Sequence, residues 1–489
     1  MKSRRMLSML LLLAAGIWSS GCSQKRIAPP SPPMAPELHD DLQKAAQLPY
    51  DQLFDKAVDL KFNAKDLEEM RKHLSETQAY CKQQAKTTGT GYDKQTNQLM
   101  DELKRSAGQA DEPKRHELRC QIQDLRSSKA QMDMLADQLV PTAFQNGRAK
   151  LELIEKWPTE EQQIKQQIES GAYRQRHWGD VTDIGFRTIQ PNQKDDIKRG
   201  EDALRQLRHE GAMPRELDNK QIQDYVNTVA QKVAANSDLQ IPLKVMVLDS
   251  KEVNAFALPG GFLFIQRGLL EEVDDESQLA GVIAHEISHV TARHSYRLYK
   301  QALASSIVYS MAQIAAIILT GGAAGVGAYY ALQYGFYGLG FALDLNLLGV
   351  SRDFELEADQ LGVQYAWKAG YDPEGFIRFF GKMAGKHGYA IGASWFRTHP
   401  PFYQRMVDSK REIMYLPQKE SWIVQTLQFE QMKPLLKEAA AKSNTAQEGK
   451  RPAMQPKEEG CEKPRQLYKP EEPIEAICSR LEERTAASR

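Results

Sequence analysis

The run His285-Glu286-Ile287-Ser288-His289 is where residue types and spacing could do chemistry in this 489-residue sequence. On a helix, residues four apart share a face, so both imidazoles can reach one metal ion with Glu286 beside it. Zinc suits such donors: it accepts nitrogen and oxygen ligands, has no redox chemistry, and in catalytic sites keeps one position for water. Water held there ionises near neutral pH, and an adjacent carboxylate can take its proton. With ten histidines in the chain, the pentapeptide arises by chance in roughly one or two sequences per hundred. The motif therefore needs a third ligand.

His294 is the first to test. The metzincin pattern sets Gly three and His six residues after the second His. Here Ala292 replaces the Gly and His294 comes at five, so that pattern fails and His294 reads as a polar helix-end residue. The second place is Ser351-Arg352-Asp353-Phe354-Glu355-Leu356-Glu357-Ala358-Asp359. Glu355 and Asp359 again share a helical face. One carboxylate can bind the metal while the other accepts the spare N–H of a liganding imidazole.

The elements that must hold these residues are legible nearby. Asp275 and Gln278 have the spacing of a capping box, and Leu279, Val282, Ile283 and Val290 supply an apolar face, which predicts a helix through the motif. Pro259-Gly260-Gly261 separates two apolar, β-favouring runs and predicts a hairpin. Leu243 to Asp249 reads as a further strand.

Four motifs occur in order: NAFALPGG (Asn254 to Gly261), HEISHVTARH (His285 to His294), SRDFELEAD (Ser351 to Asp359) and THPPFYQR (Thr398 to Arg405). Together they resemble the gluzincin family of HtpX-type heat-shock proteases, CAAX prenyl proteases and BepA-type periplasmic proteases, over about half the chain. The resemblance implies one zinc held by His285, His289 and Glu355, Glu286 as base, and Asp359 as the carboxylate behind a ligand. Glu357 does not match the ligand position. His399 matches a histidine that either stabilises the oxyanion or fills the open zinc position as a latch, and Arg405 the arginine accompanying it. Asn254 and Ala255 are implied as contacts to the substrate backbone, which would add as a strand beside theirs.

The remaining sequence sets the context. Lys+Arg and Asp+Glu are both 64, so no global field favours nucleic acid. Residues 1–22 carry a basic start, an apolar run from Met6 to Ile17 and Gly21-Cys22, the pattern of a secretory signal. The Gly-Cys pair resembles the bacterial lipobox, with Ser19 where an aliphatic residue is usual. It implies lipidation of Cys22 and anchoring at the outer membrane, facing the periplasm. Residues 23–36 read as a Pro-rich tether. Residues 37–179 read as a helical hairpin or short coiled coil, with Leu67, Met70, Leu74, Thr77 and Cys81 on one seam and Leu118, Ile122, Leu125 and Met132 on another; a turn is expected at Thr87 to Asp93.

The metallopeptidase domain is expected at 180–430 and a polar, largely disordered tail at 431–489. The four cysteines beyond Cys22 fall into sequence-local pairs, predicting Cys81–Cys120 and Cys461–Cys478. No charge occurs between Gln301 and Leu343, a stretch expected to form a helical hairpin covering the site or touching membrane or barrel proteins. The expected fold is α+β and mostly helical, a gluzincin-type domain with a small β-sheet preceded by the helical hairpin. The expected function is a zinc metalloendopeptidase acting on unfolded or misassembled envelope proteins, with outer-membrane assembly machinery as a partner. The alternative is a chaperone or assembly factor with a latent protease site.

Overall fold

The computed structural model describes residues 40–106, 111–171, 191–209, 213–297, 345–387, 399, 403–447, 461, 465, 467–468 and 474–487. The signal, Cys22, the tether and the 301–343 segment lie outside them. The described chain is α+β and mostly helical, with one three-stranded sheet. Among the described residues, no helix is long and apolar enough to cross a membrane.

The chain opens with short helices α1 (Asp40–Gln47) and α2 (Tyr50–Asp59), followed by the 42-residue α3 (Ala64–Arg105). Asn63 caps α3 by accepting from Lys65 N. Helix α4 (Glu112–Met134) pairs back along α3, then passes through a π-helical turn (Leu135–Leu139) into α5 (Val140–Ser170). The expected turn at Thr87 to Asp93 is instead the middle of α3. Gly89 serves close helix packing there: a Cβ would lie 3.2 Å from Lys129 Cδ and 3.3 Å from Met132 Cβ. Thr90 and Thr96 turn their hydroxyls back onto the carbonyls of Lys86 and Tyr92. The chain reverses after Ser106, and Asp111 caps α4 with Pro113 in its first turn.

The helical region is not a separate unit. Tyr50, Phe54, Leu153, Trp157 and Ile164 share one apolar core with Leu263, Ile283, Phe380 and Met406 of the segment expected to be the peptidase domain. Phe54 and Trp157 meet edge to face at 4.7 Å. Polar bonds seal the contact: Tyr403 Oη donates to Glu160 at 2.7 Å and Arg411 to the same carboxylate at 2.8 Å. Around the middle of α3 and the α4–α5 junction, Tyr80, Met132, Leu135 and Phe144 form a separate cluster.

Helices α6 (Asp195–His209) and α7 (Lys220–Ala234) lead into β1 (Lys244–Leu248), β2 (Ala255–Leu258) and β3 (Phe262–Gln266). The sheet order is β1-β3-β2, with β1 parallel and β2 antiparallel to β3. The β2–β3 hairpin turns at Pro259-Gly260-Gly261 as the sequence predicts. Gly260 has φ 82°, and a Cβ there would sit 2.4 Å from Ile197 Cα, so both conformation and space require glycine.

After α8 (Arg267–Glu272) comes α9 (Glu276–Thr291), which carries the HExxH run. Half of the capping box forms, with Asp275 accepting from Gln278 N at 2.9 Å, while Gln278 Oε1 accepts from Asp274 N, one residue before the cap, at 3.1 Å. Buried Glu276 fixes the same end, accepting from Tyr225 at 2.9 Å, Tyr371 at 3.0 Å and Thr426. Helix α10 (Leu345–Lys368) packs along α9, and α11 (Glu374–His387), α12 (Tyr403–Tyr415) and α13 (Leu427–Gln447) complete the shell.

Two expectations about the C-terminus are corrected. The tail contains a further helix, α14 (Ile474–Ala487), whose Ile474, Ile477, Cys478 and Leu481 are buried against Tyr80, Cys81 and Leu135. Gln131 holds the approach to it, donating to Arg465 O and accepting from Leu467 N, both at 2.9 Å. The disulfides are Cys81–Cys478 and Cys120–Cys461, with Cα separations of 5.1 and 5.3 Å, rather than the sequence-local pairs. Both bonds tie tail to hairpin, because the apolar cluster beside the middle of α3 is where the tail's few apolar residues are buried.

Non-reducing peptide mapping should therefore recover Cys81 with Cys478 and Cys120 with Cys461. Substituting Cys478 by Ser should destabilise the protein by about 2–5 kcal/mol. It should also open the tail to limited proteolysis ahead of the catalytic core. Recovery of Cys81 linked to Cys120 would contradict this arrangement.

Candidate metal centre

Two helices and a loop build the site. His285 and His289 lie one turn apart on α9; Glu355 and Asp359 lie one turn apart on α10, and these turns face each other across the α9–α10 contact. His399 comes from the segment before α12, and Arg405 from α12 itself. The side chains are interior: His285 and Arg405 are 0% exposed, and Glu286, Glu355, Asp359 and His399 are no more than 4% exposed.

Donor atoms of His285, His289, Glu355 and His399 all lie within 4.8 Å of one another. His285 Nε2 is 3.1 Å from His289 Nε2 and 3.4 Å from Glu355 Oε2, and His289 Nε2 is 3.4 Å from Glu355 Oε1. A tetrahedral zinc with bonds of about 2.0–2.1 Å separates its ligand atoms by about 3.3 Å. The three residues implied by the sequence therefore fit one zinc. His399 approaches the same point, its Nδ1 3.2 Å from His285 Nε2 and 2.7 Å from Glu355 Oε2. Its Nε2 lies 3.4 Å from Glu286 Oε1.

Asp359 and Arg405 hold this cluster from behind. Asp359 Oδ1 is 2.9 Å from His285 Nδ1, the position that directs the opposite nitrogen at a metal. Arg405 grips Asp359 through two bonds of 2.6 and 2.7 Å, and its Nη2 is 3.2 Å from Glu355 Oε2.

The electrostatics follow from burial and these pairings. Burial works against a charged His285, but its bonds to Asp359 and Glu355 outweigh this and raise it to about 9. Burial alone would raise Glu355, yet His399 and Arg405 hold it well below the usual carboxylate range. Burial also keeps His289 well below the ordinary imidazole value and lowers His399, favouring neutral rings that can bind metal. Glu286 is pushed by burial up to about 8, against the opposing pull of His285.

The β2 strand runs beside Glu286. Gln266 N donates to Asn254 O at 3.0 Å, so the main chain at 254 and 256 is turned to β3 and that at 255 and 257 to the other side. Ala257 makes the backbone hydrogen bond to Glu286. Asn254 and Ala255 start this strand, but the residue bonded to the base is Ala257, which sequence reasoning missed.

His294 was also underestimated. It is 3% exposed, with Nδ1 2.8 Å from His289 Nδ1 and Nε2 3.1 Å from Glu357 Oε2. Glu357, off the ligand position, is bonded to His294 and to Arg297 at 2.6 Å. The spacing of five hides this, because a continuous helix would carry His294 away from His289. The left-handed turn at Arg293 brings it back.

Residues 216–412 match the sequence profile of peptidase family M48. The chain is similar to the beta-barrel assembly-enhancing protease of Yersinia pestis, 29% identical over 188 residues, 38% of each chain. It is 28% identical over 220 residues to the protein of that name from Escherichia coli strain K12, covering 44% of this chain and 43% of that one. It is 32% identical over 184 residues to the mitochondrial metalloendopeptidase OMA1 of Schizosaccharomyces pombe, covering 37% of this chain and 50% of that one. The matches thus span half or less of these relatives. The segment that builds this centre is the part of the chain that matches peptidase family M48.

Proposed function

We propose that the protein is a zinc-dependent metalloendopeptidase that hydrolyses peptide bonds of unfolded or misassembled envelope proteins. The observation that carries the enzymatic reading is the convergence of His285, His289 and Glu355 on one point, with Glu286 beside it and the β2 strand alongside. The envelope reading draws on the N-terminal signal pattern with Cys22 as lipid anchor, and on two disulfides, which persist in oxidising compartments. Relatives named for β-barrel assembly make outer-membrane proteins the substrates to test first, with their assembly machinery as a partner.

His285, His289 and Glu355 would hold the zinc, which when bound supplies an acidified water and a positive charge beside the scissile carbonyl. Glu286 takes the proton of the attacking water and hands it to the leaving amine. The β2 strand aligns an extended substrate by main-chain hydrogen bonds. Asp359 and Arg405 keep His285 and Glu355 in register.

His399 acts as a latch in this proposal. Its Nδ1 approaches the ligand cluster while its Nε2 faces Glu286, so the ring stands where the water would. An oxyanion donor would need to leave that place empty. A latent resting state suits a protease that shares its compartment with unfolded precursors.

Glu286→Gln should lower kcat on an unfolded outer-membrane protein by about 10²–10⁴-fold or more while zinc content and fold persist. His289→Ala should lose the zinc instead. A Glu286→Gln protein that still cleaves would remove Glu286 as base. One that fully rescues a deletion strain would favour the assembly-factor role over proteolysis.

His399→Ala should raise basal cleavage or become toxic. A drop of about 10²–10³-fold would assign His399 to the oxyanion instead.

A further inference from the structure

The second zinc ligand of the proposed site has a support to which the proposed mechanism assigns no role. Helix α9 ends at Thr291, and Arg293 then takes φ 55°, the left-handed region. An arginine is strained there. Its side chain is held by Asp196, at 2.6 and 2.8 Å, and by the carbonyl of Pro191 at 2.8 Å. The break swings the next residue back, so His294 faces His289 five positions earlier rather than pointing away along a continuing helix.

The His294 ring is then fixed on every side that matters. It stacks flat on Phe354, with centroids 4.5 Å apart and 8° between planes. Its Nδ1 is 2.8 Å from His289 Nδ1 and its Nε2 is 3.1 Å from Glu357 Oε2. Arg297 bonds Glu357 at 2.6 Å and lies over the same Phe354 ring.

We infer that His294 and Glu357 form a positioning relay that sets the tautomer and orientation of His289. This rests on the zinc site proposed above. One proton assignment satisfies every contact. With Nε2 of His289 turned to the metal, its Nδ1 carries the hydrogen and donates to Nδ1 of His294. His294 is then a neutral ring with hydrogen on Nε2, donating to the Glu357 carboxylate, and Arg297 fixes that carboxylate. Asp359 serves Nδ1 of His285 directly. His289 is served through one intervening ring, so each of the two imidazole ligands has a carboxylate behind it.

Two conservative variants separate this from a merely structural role. Asn at 294 keeps an acceptor near the Nδ1 place and gives up the link to Glu357. Gln keeps a donor near the Nε2 place for Glu357 and gives up the link to His289. Zinc ion alone is the probe, titrated into the full metal-free chain against a competing chelator, with circular dichroism confirming that each variant is folded. His294→Gln should bind zinc about 10–100-fold more weakly than wild type. His294→Asn should stay within a few-fold of wild type, and Glu357→Ala should fall between the two. If His294→Gln binds like wild type, or if Asn is the weaker of the two, the relay is wrong and His294 only packs the interior. If the wild-type chain takes up no zinc, the metal site itself fails, and the relay with it.

Discussion

Arg405 is the constraint on which the centre depends. Two carboxylates, Glu355 and Asp359, are buried on one face of α10 beside two imidazoles, with a third carboxylate, Glu286, close by. Without a buried cation the carboxylates of such a group would repel one another in the metal-free chain. A fully buried guanidinium bonded to Asp359 and facing Glu355 balances the face while the fork geometry fixes both oxygens. Removing one partner from such a buried pair typically costs about 3–5 kcal/mol, because it leaves the other charge without compensation. The helix that carries Arg405 also packs on α5, so the site's electrostatics are coupled to how the N-terminal helices dock.

That docking changes what the non-catalytic half of the chain is for. Trp157 and Ile164 of α5 lie in the same apolar core as Ile283 of the HExxH helix, and Glu160 holds both Tyr403 and Arg411 of the Arg405 helix. The N-terminal helices are thus part of the wall behind the site as well as an arm. The arm proper is the α3–α4 hairpin from the middle of α3 outward, with a small core where the α4–α5 junction crosses α3 and with both disulfides. A polar hairpin of this size buries little apolar surface by itself. The tail supplies Ile474, Ile477 and Leu481 to that core, and the two cross-links keep it there.

The other constraint is the end of α9. The motif needs a rigid helix up to His289 and an abrupt change of direction after it. Asp275, Gln278 and Glu276 fix the start of the helix, and the Arg293–Asp196 pair holds the reversal at its end. The two ends are secured differently because they do different work: the first sets the helix in the core, the second returns a side chain to a ligand.

The local elements and the ligand types can be read from the order of residues alone. Residues four apart on a helix share a face whatever surrounds them, so the pairing of His285 with His289 and of Glu355 with Asp359 was legible, as were the capping box and the Pro-Gly-Gly hairpin. Motif order supplied His399 and Arg405 as members of the same site. Relations that cross distant segments or break a periodicity emerge only in the folded chain. Glycines at 89 and 91 read as a turn because the partner helix requiring Gly89 to be small is not visible in the local sequence. Cysteine spacing suggested local pairs, yet the tail returns across 397 residues to reach Cys81, since burial of its apolar residues overrides proximity along the chain. Glu357 and His294 looked idle because helical spacing places them off the metal-facing side. The left-handed turn at Arg293 makes them neighbours of His289, and no periodic pattern encodes a single dihedral angle.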